Sequence, residues 1–475
     1  MLAVLASNEA KTAGLFNRIA RMLEIIENFP DEVSDEELEG VLAFLPKNVA
    51  PAIGAVLTGR ARKAGLSFLK MIASSILGAK RASECGKKVL LIPFNCPPEI
   101  LHAFDSAHPI TSEVLSTLGV VALEGQGERY WDIAMGLGLP DHLCSANTIE
   151  LGSVLGGNDF KPDAIVQTAP GGCDVNSKIH EFVANYHKIP QFILEKPVDD
   201  SPKGRELYLK YNRTLISRLE EFLDEELKED KLRAVMEKAN RCAELYHDLW
   251  DLHKESPCPV PNLFSLFTYG TRFTMWGTDE GVRTMEAMVE TARKRLEERA
   301  YPAPKEVARM LWVYTSYYFD IANLFNWMEE KGYTHLGDGL DLFFPEPVDT
   351  SSLDSMIEGI VNAAWNMPMT RQVGGEVMSV SWSDDVIYAA RELKADCAVY
   401  CGHHACKQTW SVVSILRNEL MDRLGIPLLT LQGDSWIRRI TPVGVIQKEL
   451  DDFIKNVVAS KKRRGRRKIA DRRDK

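Results

Sequence analysis

The 475-residue sequence contains no Walker-type phosphate loop and no G-x-G-x-x-G turn, so ATP and dinucleotides are not expected on a glycine-rich loop of this chain. It also lacks an apolar run of the roughly 18–20 residues that a membrane span requires. The most apolar early stretches, Val49 to Gly59 and Ala64 to Ala79, the second interrupted by Lys70, read as helices of a globular body. No basic segment followed by an apolar stretch and a small-residue cleavage site opens the sequence, and a cytoplasmic location is expected. No fixed-period repeat is present, which argues against a solenoid. Evenly paired cysteines are missing too: the nine thiols, at 85, 96, 144, 173, 242, 258, 397, 401 and 406, are an odd number spread thinly, so metal binding, catalysis or burial is expected rather than disulfides.

What is present is the composition of a folded protein. Hydrophobic residues make up 45% and charged residues 26%, which excludes intrinsic disorder over the chain as a whole. The length calls for two or three domains. The net charge of −10 hides an asymmetry, because Lys461 to Lys475 holds ten Lys or Arg against Asp471 and Asp474, leaving −18 on the other 460 residues. So acidic a body does not attract nucleic acid over its general surface, and the basic tail reads as a solvated terminus.

Five segments are expected: a helical N-terminal part (1–84), an α/β domain (85–255), a helical connector (256–305), a second α/β domain (306–456) and the basic tail (457–475). In the second segment, KKVLLIPFN (from Lys87) is a short continuous apolar run, as in a strand buried on both faces. Further on, PDAIVQT is a strand, GGCD a loop, VNSKIHEFVANYHK an amphipathic helix and IPQFILEKP a strand. The Pro-rich SPCPVPN (Ser256 to Asn262) marks a junction. The rhythm then returns with VARMLWVYT as strand and DIANLFNWMEEKG as helix. It closes on ADCAVYC, GHHAC, KQTWSVVSILRNELMDRLG and IPLLTLQGD as strand, loop, helix and strand. Two βαβ units predict two doubly wound, parallel-sheet domains of flavodoxin-like type.

Each βαβ unit carries a cysteine between a strand end and a helix start: Cys173 in PGGCDVNSK and Cys406 in GHHACKQTW. Ligands bind at that edge of open α/β sheets, and a helix N-terminus favours the thiolate that binds soft metals. Cys144 in DHLCSANTIELG stands similarly before a helical pattern, with Ser145 as a candidate cap. The wide separations match no zinc ribbon or finger and suit a centre lodged between two domains. Taken singly, each such cysteine is also compatible with plain burial.

From about Gly86 to Lys455 the chain resembles the larger, benzoyl-CoA-reductase-type subunits of the 2-hydroxyacyl-CoA dehydratase family. The likeness is carried in order by KKVLLIPFNCPPEILHAFD, DHLCSANTIELG, PDAIVQTAPGGCDVNSKIHEF and HHACKQTWSVVSILRNELMDRLGIPLLTLQGD. Pro97-Pro98-Glu99 departs from the Pro-Glu-Glu-Leu run usual in smaller subunits. The resemblance implies an oxygen-sensitive 4Fe-4S cluster held by Cys144, Cys173 and Cys406. It also implies a homologous second subunit, a separate ATP-hydrolysing iron-sulfur activator and an acyl-CoA substrate. The implied chemistry is radical dehydration of a 2-hydroxyacyl-CoA (a lyase), or reduction of an aromatic acyl-CoA ring (an oxidoreductase), after one low-potential electron enters the thioester. Three cysteines leave one iron of a cubane open as a Lewis acid.

Three further residues are candidates for catalysis. Glu99, at a helix start, is placed to orient substrate or move a proton, or else to cap the helix as an exposed carboxylate. His403 and His404, beside Cys406, are placed to donate to cluster sulfur or relay protons, or else to finish a loop. Asp434 reads as a turn residue or domain-interface partner, Cys397 and Cys401 as buried packing, and FSLFTYGTRFTMWGT as apolar core or the wall of an acyl pocket. Two alternatives remain. One is a homodimeric reductase whose double-cubane 8Fe cluster recruits Cys96 or Cys401; the other, of a different class, is a zinc-stabilised binding protein whose tail docks to nucleic acid.

Overall fold

The computed structural model describes residues 14–460 apart from 44, 46, 48, 58, 170–172, 198–200, 303–304 and 368–377. The basic tail from 461 onward and the Pro170-Gly171-Gly172 stretch lie outside the described residues. Among the described residues no helix is long and apolar enough to cross a membrane.

Two four-stranded sheets, both entirely parallel, organise the chain. The first has the order β2-β1-β3-β4, built from β1 (Lys88–Ile92), β2 (Ala107–Thr111), β3 (Ala164–Ala169) and β4 (Gln191–Glu195). The second repeats that order as β6-β5-β7-β8, from β5 (Ala308–Trp312), β6 (Tyr333–His335), β7 (Cys397–Tyr400) and β8 (Leu428–Thr430). Leu91 pairs with Ile110 and Val166 with Phe192 in one; Leu311 pairs with Ala398 and Val399 with Leu429 in the other. The α/β class and the two parallel sheets agree with the sequence expectation.

The strands form where continuous apolar runs can be buried on both faces: β5 and β7 are wholly buried, whereas the edge strand β4 alternates and exposes Ile193 and Glu195. Two strands were not legible. AHPIT (β2) contains a His and a Pro, and YTH (β6) is three residues long, so neither has a period to read.

Helices cover both sheets. Those that bear on the site are α1 (Leu15–Glu27), α2 (Arg62–Arg81), α3 (Gly127–Gly136), α4 (Ser145–Leu155), α5 (Asp174–His187), α6 (Pro202–Leu223), α7 (Glu229–His253), α8 (Phe264–Thr274), α9 (Asp279–Glu297) and α10 (Lys407–Leu424). Helix α1 buries Leu15, Ile19, Leu23 and Ile26 against α2. Basic residues of α2 are matched by acidic partners: Lys80 meets Glu24 and Arg81 meets Glu27, each at 2.8 Å, and Lys70 meets Asp31 at 2.6 Å. The N-terminal helices thus share one continuous core with both sheets, while a smaller core lies between β5, β7, α10 and the helix Met378–Glu392.

One buried ion pair sits inside this packing. Glu99 and Arg272 are each about 4% exposed at the side chain and stand 2.9 Å apart. Removing one charge strands the other in an apolar interior, so Glu99→Ala is expected to cost about 3 kcal/mol of stability in urea unfolding. An unchanged unfolding midpoint would contradict the pair's structural role.

Candidate active site at the junction of the two sheets

The carboxyl ends of both sheets face a single cavity of about 350 Å³. Phe94 follows β1, Thr111 and Glu113 end β2, and Tyr314 and Thr315 follow β5; Leu340 follows β6 and Trp436 follows β8. Parallel strands carry their side chains and loops to that edge, which is why ligand sites form there. Helix α8 supplies Leu266, Tyr269, Gly270 and Phe273, so the aromatic run FSLFTYGTRF is both core and cavity wall.

Cys144, Cys173 and Cys406 all line this cavity. Each is the N-cap residue of a helix: Cys144 of α4, Cys173 of α5 and Cys406 of α10. Ser145 was the expected cap of α4, but it is the first helical residue, and its hydroxyl instead donates to Asp434 at 2.7 Å. The three thiols are partly exposed, whereas Cys96, Cys242, Cys258, Cys397 and Cys401 are buried and do not line the cavity. Cys401, within reach of a larger cluster on paper, spends its sulfur 3.6 Å from the Ser435 hydroxyl.

The sulfurs sense one another. Cys144 hydrogen-bonds to Cys173, and that bond lowers the Cys173 thiol from its ordinary range while the same contact, burial and the charges of Cys173 and Cys406 raise Cys144. Burial raises Cys406, against hydrogen bonds from Thr409 and the Tyr314 hydroxyl. The Asn147 side-chain amide stands 3.8 Å from the Cys173 sulfur. Turned so that its NH₂ faces the sulfur, it donates there, and a buried Nδ2 otherwise without a partner gains one. Among the described residues no group of three or more His, Cys, Asp or Glu is placed to hold a single metal ion.

Behind Cys144 lies a polar strut across the two lobes. His403 is wholly buried, with Nε2 3.7 Å from the Cys144 sulfur and Nδ1 3.0 Å from Asp434. The Ser435 amide lies 3.5 Å from the same Nδ1, too long to compete. Asp434 also accepts from Ser145 and from the amides of Trp436 and Ile437 at 2.9 and 3.0 Å. Burial would raise its carboxyl, but His403 and these donors hold it below the usual carboxylate range. The carboxylate fixes Nδ1–H toward itself, so Nε2 faces the sulfur.

Gly402 gives His403 its place: its φ is +67°, and a Cβ there would lie 1.8 Å from the Leu431 carbonyl oxygen. Gly402→Ala is expected to cost roughly 2–3 kcal/mol and to loosen the His403 loop. Urea unfolding beside thiol-labelling rates of Cys406 checks both, and a wild-type midpoint would contradict it.

Two sequence candidates stand elsewhere. Glu99, read as an exposed cap or a substrate contact, is neither capping in solvent nor lining the cavity; it is consumed by Arg272. His404 is exposed, outside the cavity lining, and donates its backbone N–H to Gly433.

Sequence reasoning missed Glu113, which follows β2 and lines the cavity with both oxygens engaged: Asn176 donates at 2.7 Å, and the Phe94 amide and Ser112 hydroxyl at 2.9 Å. Burial pushes its carboxyl above the usual range, opposed by the nearby His180. His180 is itself wholly buried, 3.2 Å from Glu150. Burial lowers its imidazole, yet Glu150 and Glu113 outweigh that and leave it raised. A carboxylate inside TSEVLST carries no motif, so no sequence signal pointed to it.

A family model described as 2-hydroxyglutaryl-CoA dehydratase, D-component, matches residues 93–456. No curated protein matches the chain in a search of such proteins.

Proposed function

Since the chain belongs to the 2-hydroxyglutaryl-CoA dehydratase D-component family, we propose that it is the iron-sulfur subunit of a radical-type 2-hydroxyacyl-CoA dehydratase. In this reading it works beside a homologous second subunit and receives one low-potential electron from a separate ATP-hydrolysing activator. The observation that carries the reading is the convergence of three N-cap thiols, from two sheets, on one cavity. The donor set fits a 4Fe-4S cluster: three thiols, one already lowered, with side-chain and backbone donors around their sulfurs. Cys144, Cys173 and Cys406 would hold it. Bound there, a cluster with one iron free of cysteine supplies a Lewis acid next to an electron source.

The chain's own residues supply the rest. Phe94, Leu266, Phe273 and Leu340 make the cavity largely apolar, which excludes water and suits an acyl chain, while Lys178 and Lys407 add cationic groups for an anionic thioester cofactor. Glu113 faces the cavity with a carboxyl that burial raises above its usual range, and the Tyr314 hydroxyl hydrogen-bonds to Cys406. His403, oriented by Asp434, presents Nε2 to the Cys144 sulfur. Reduction of an aromatic acyl-CoA ring, which takes two such electrons and two protons, is the alternative reading.

The test is anaerobic purification, iron and zinc analysis, and turnover of 2-hydroxyacyl-CoA thioesters with partner subunit and activator added. About four irons per chain and enoyl-CoA formation support the proposal. About eight irons would favour a double cubane, and colourless zinc protein would overturn the assignment.

A further inference from the structure

Outside the cavity lining, on either side of Leu340 in sequence, two carboxyl groups are buried together. Asp338 and Asp341 follow β6, and at 0% and 7% exposure neither reaches solvent. The Asp338 amide donates to Asp341 Oδ2 at 3.1 Å, the Asp341 amide to the Asp338 carbonyl at 3.0 Å, and the Ser265 hydroxyl to Asp341 Oδ2. Asp338 Oδ1 accepts from the Leu340 amide at 2.8 Å. The other oxygen of each carboxyl, Asp338 Oδ2 and Asp341 Oδ1, is buried with no hydrogen-bond partner. Two ionised carboxylates so placed would repel in a medium that screens little, and an apolar interior does not tolerate both charges.

Two phenols lie near this pair, one of them, Tyr269, a helical turn beyond Ser265 on α8. Tyr269 and Tyr318 both line the cavity, and both feel the charge of Asp338. Their rings lie 6.5 Å apart, edge to face. The Tyr318 hydroxyl accepts from Thr315 at 2.8 Å, whereas the buried Tyr269 hydroxyl lacks a well-formed hydrogen bond. A hydroxyl that gives one proton while taking another is the minimum unit of a relay.

We propose that Asp338 and Asp341 hold one shared proton and exchange it with the cavity through the hydroxyls of Tyr318 and Tyr269. The destination rests on the dehydration reading above, in which hydroxide leaves one carbon and a proton leaves the next. An O–H bond of the carboxyl pair breaks, the phenol takes that proton as it passes its own to the departing hydroxide, and water forms. The proton released from the adjacent carbon restores the pair, so a turnover leaves the store unchanged. No electron moves in this step.

Burial comes first among the causes that shift both carboxyls upward, Asp341 to about 7 and Asp338 well above its ordinary range, and the charge of Asp341 adds to the latter. The groups facing the pair are Ser265 and Tyr269 of α8, Tyr246 of α7, whose hydroxyl donates to the Asp341 carbonyl at 2.7 Å, and Tyr318. His335 on β6 stacks on Trp312 and stays neutral, since burial drives it down to about 3.

The folded pair binds a proton that the unfolded chain has already lost above about pH 4. Stability therefore falls as pH rises toward and through neutrality, and removing one carboxyl relieves that loss. In the full-length chain, Asp341→Asn and Asp338→Asn are expected to gain melting temperature relative to wild type at pH 8 but not at pH 5. Each should also abolish one protonated-carboxyl infrared band that wild type shows near pH 6, with or without iron. In the assembled enzyme, Tyr318→Phe is expected to lower kcat at least about tenfold with KM little changed and to enlarge the solvent isotope effect. A wild-type infrared band in both Asn variants, or an unchanged kcat in Tyr318→Phe and Asp338→Asn, overturns the proposal. Iron content is read in the same samples, so loss of the cluster assignment is told apart from loss of the proton store.

Discussion

Replacing Cys144, Cys173 or Cys406 singly with serine is expected to remove most of the iron from anaerobically purified protein and to lower turnover by roughly 10³-fold or more. The scale follows from what an open metal corner provides, several kcal/mol of charge stabilisation in the transition state, at 1.36 kcal/mol per factor of ten. Serine is close to isosteric but a far poorer ligand for a soft metal at neutral pH. Because Cys144 and Cys173 interact, loss of either also changes the other: in Cys144→Ser the Cys173 thiol loses the thiol partner that lowers it. Cys85→Ser and Cys401→Ser serve as controls, one exposed and one buried away from the cavity. Full iron and activity in all three site variants would dismantle the assignment; iron lost equally from the controls would reduce it to a folding effect.

Glu113→Gln is expected to lower kcat by roughly 10³-fold, within the usual range for a positioned acid or base, while leaving iron content intact. The amide keeps the volume and can still accept from the Phe94 amide, so the fold is preserved, but it cannot exchange a proton at the cavity wall. Glu113 also steadies Asn176, on the helix that Cys173 caps, and a purely positioning role predicts a different pattern: iron loss together with activity. Comparing iron content and kcat in one preparation separates the two, and wild-type values of both would exclude Glu113 from the chemistry.

How far the sequence reached can be judged residue by residue. The strands β1, β3, β5 and β7 were legible because each is a continuous apolar run buried on both faces. The placement of Cys173 and Cys406 between strand end and helix start was legible because it recurs in both βαβ units, and each is the N-cap residue of its helix. Their convergence was not, since no period in a sequence encodes which sheet edges face each other. Glu99 misled because a carboxylate at a helix start looks like a cap until its partner, Arg272, is seen across the fold. His403 and His404 were indistinguishable side by side; a loop turning at Gly402 buries the first against Cys144 and leaves the second in solvent. Glu113, Asp338 and Asp341 carry no local pattern at all. Their chemistry comes from what surrounds them, and burial is a property of the whole fold.

The wiring also sets a schedule for biogenesis. Cys406 is 233 residues downstream of Cys173, and at roughly 5–20 residues per second a ribosome needs on the order of 10–50 seconds to cover that distance. Through that interval the first lobe would wait with two thiols and no third. A cluster held by all three, as proposed, would be completed only after the second lobe had emerged, and its insertion would then be a late checkpoint of assembly.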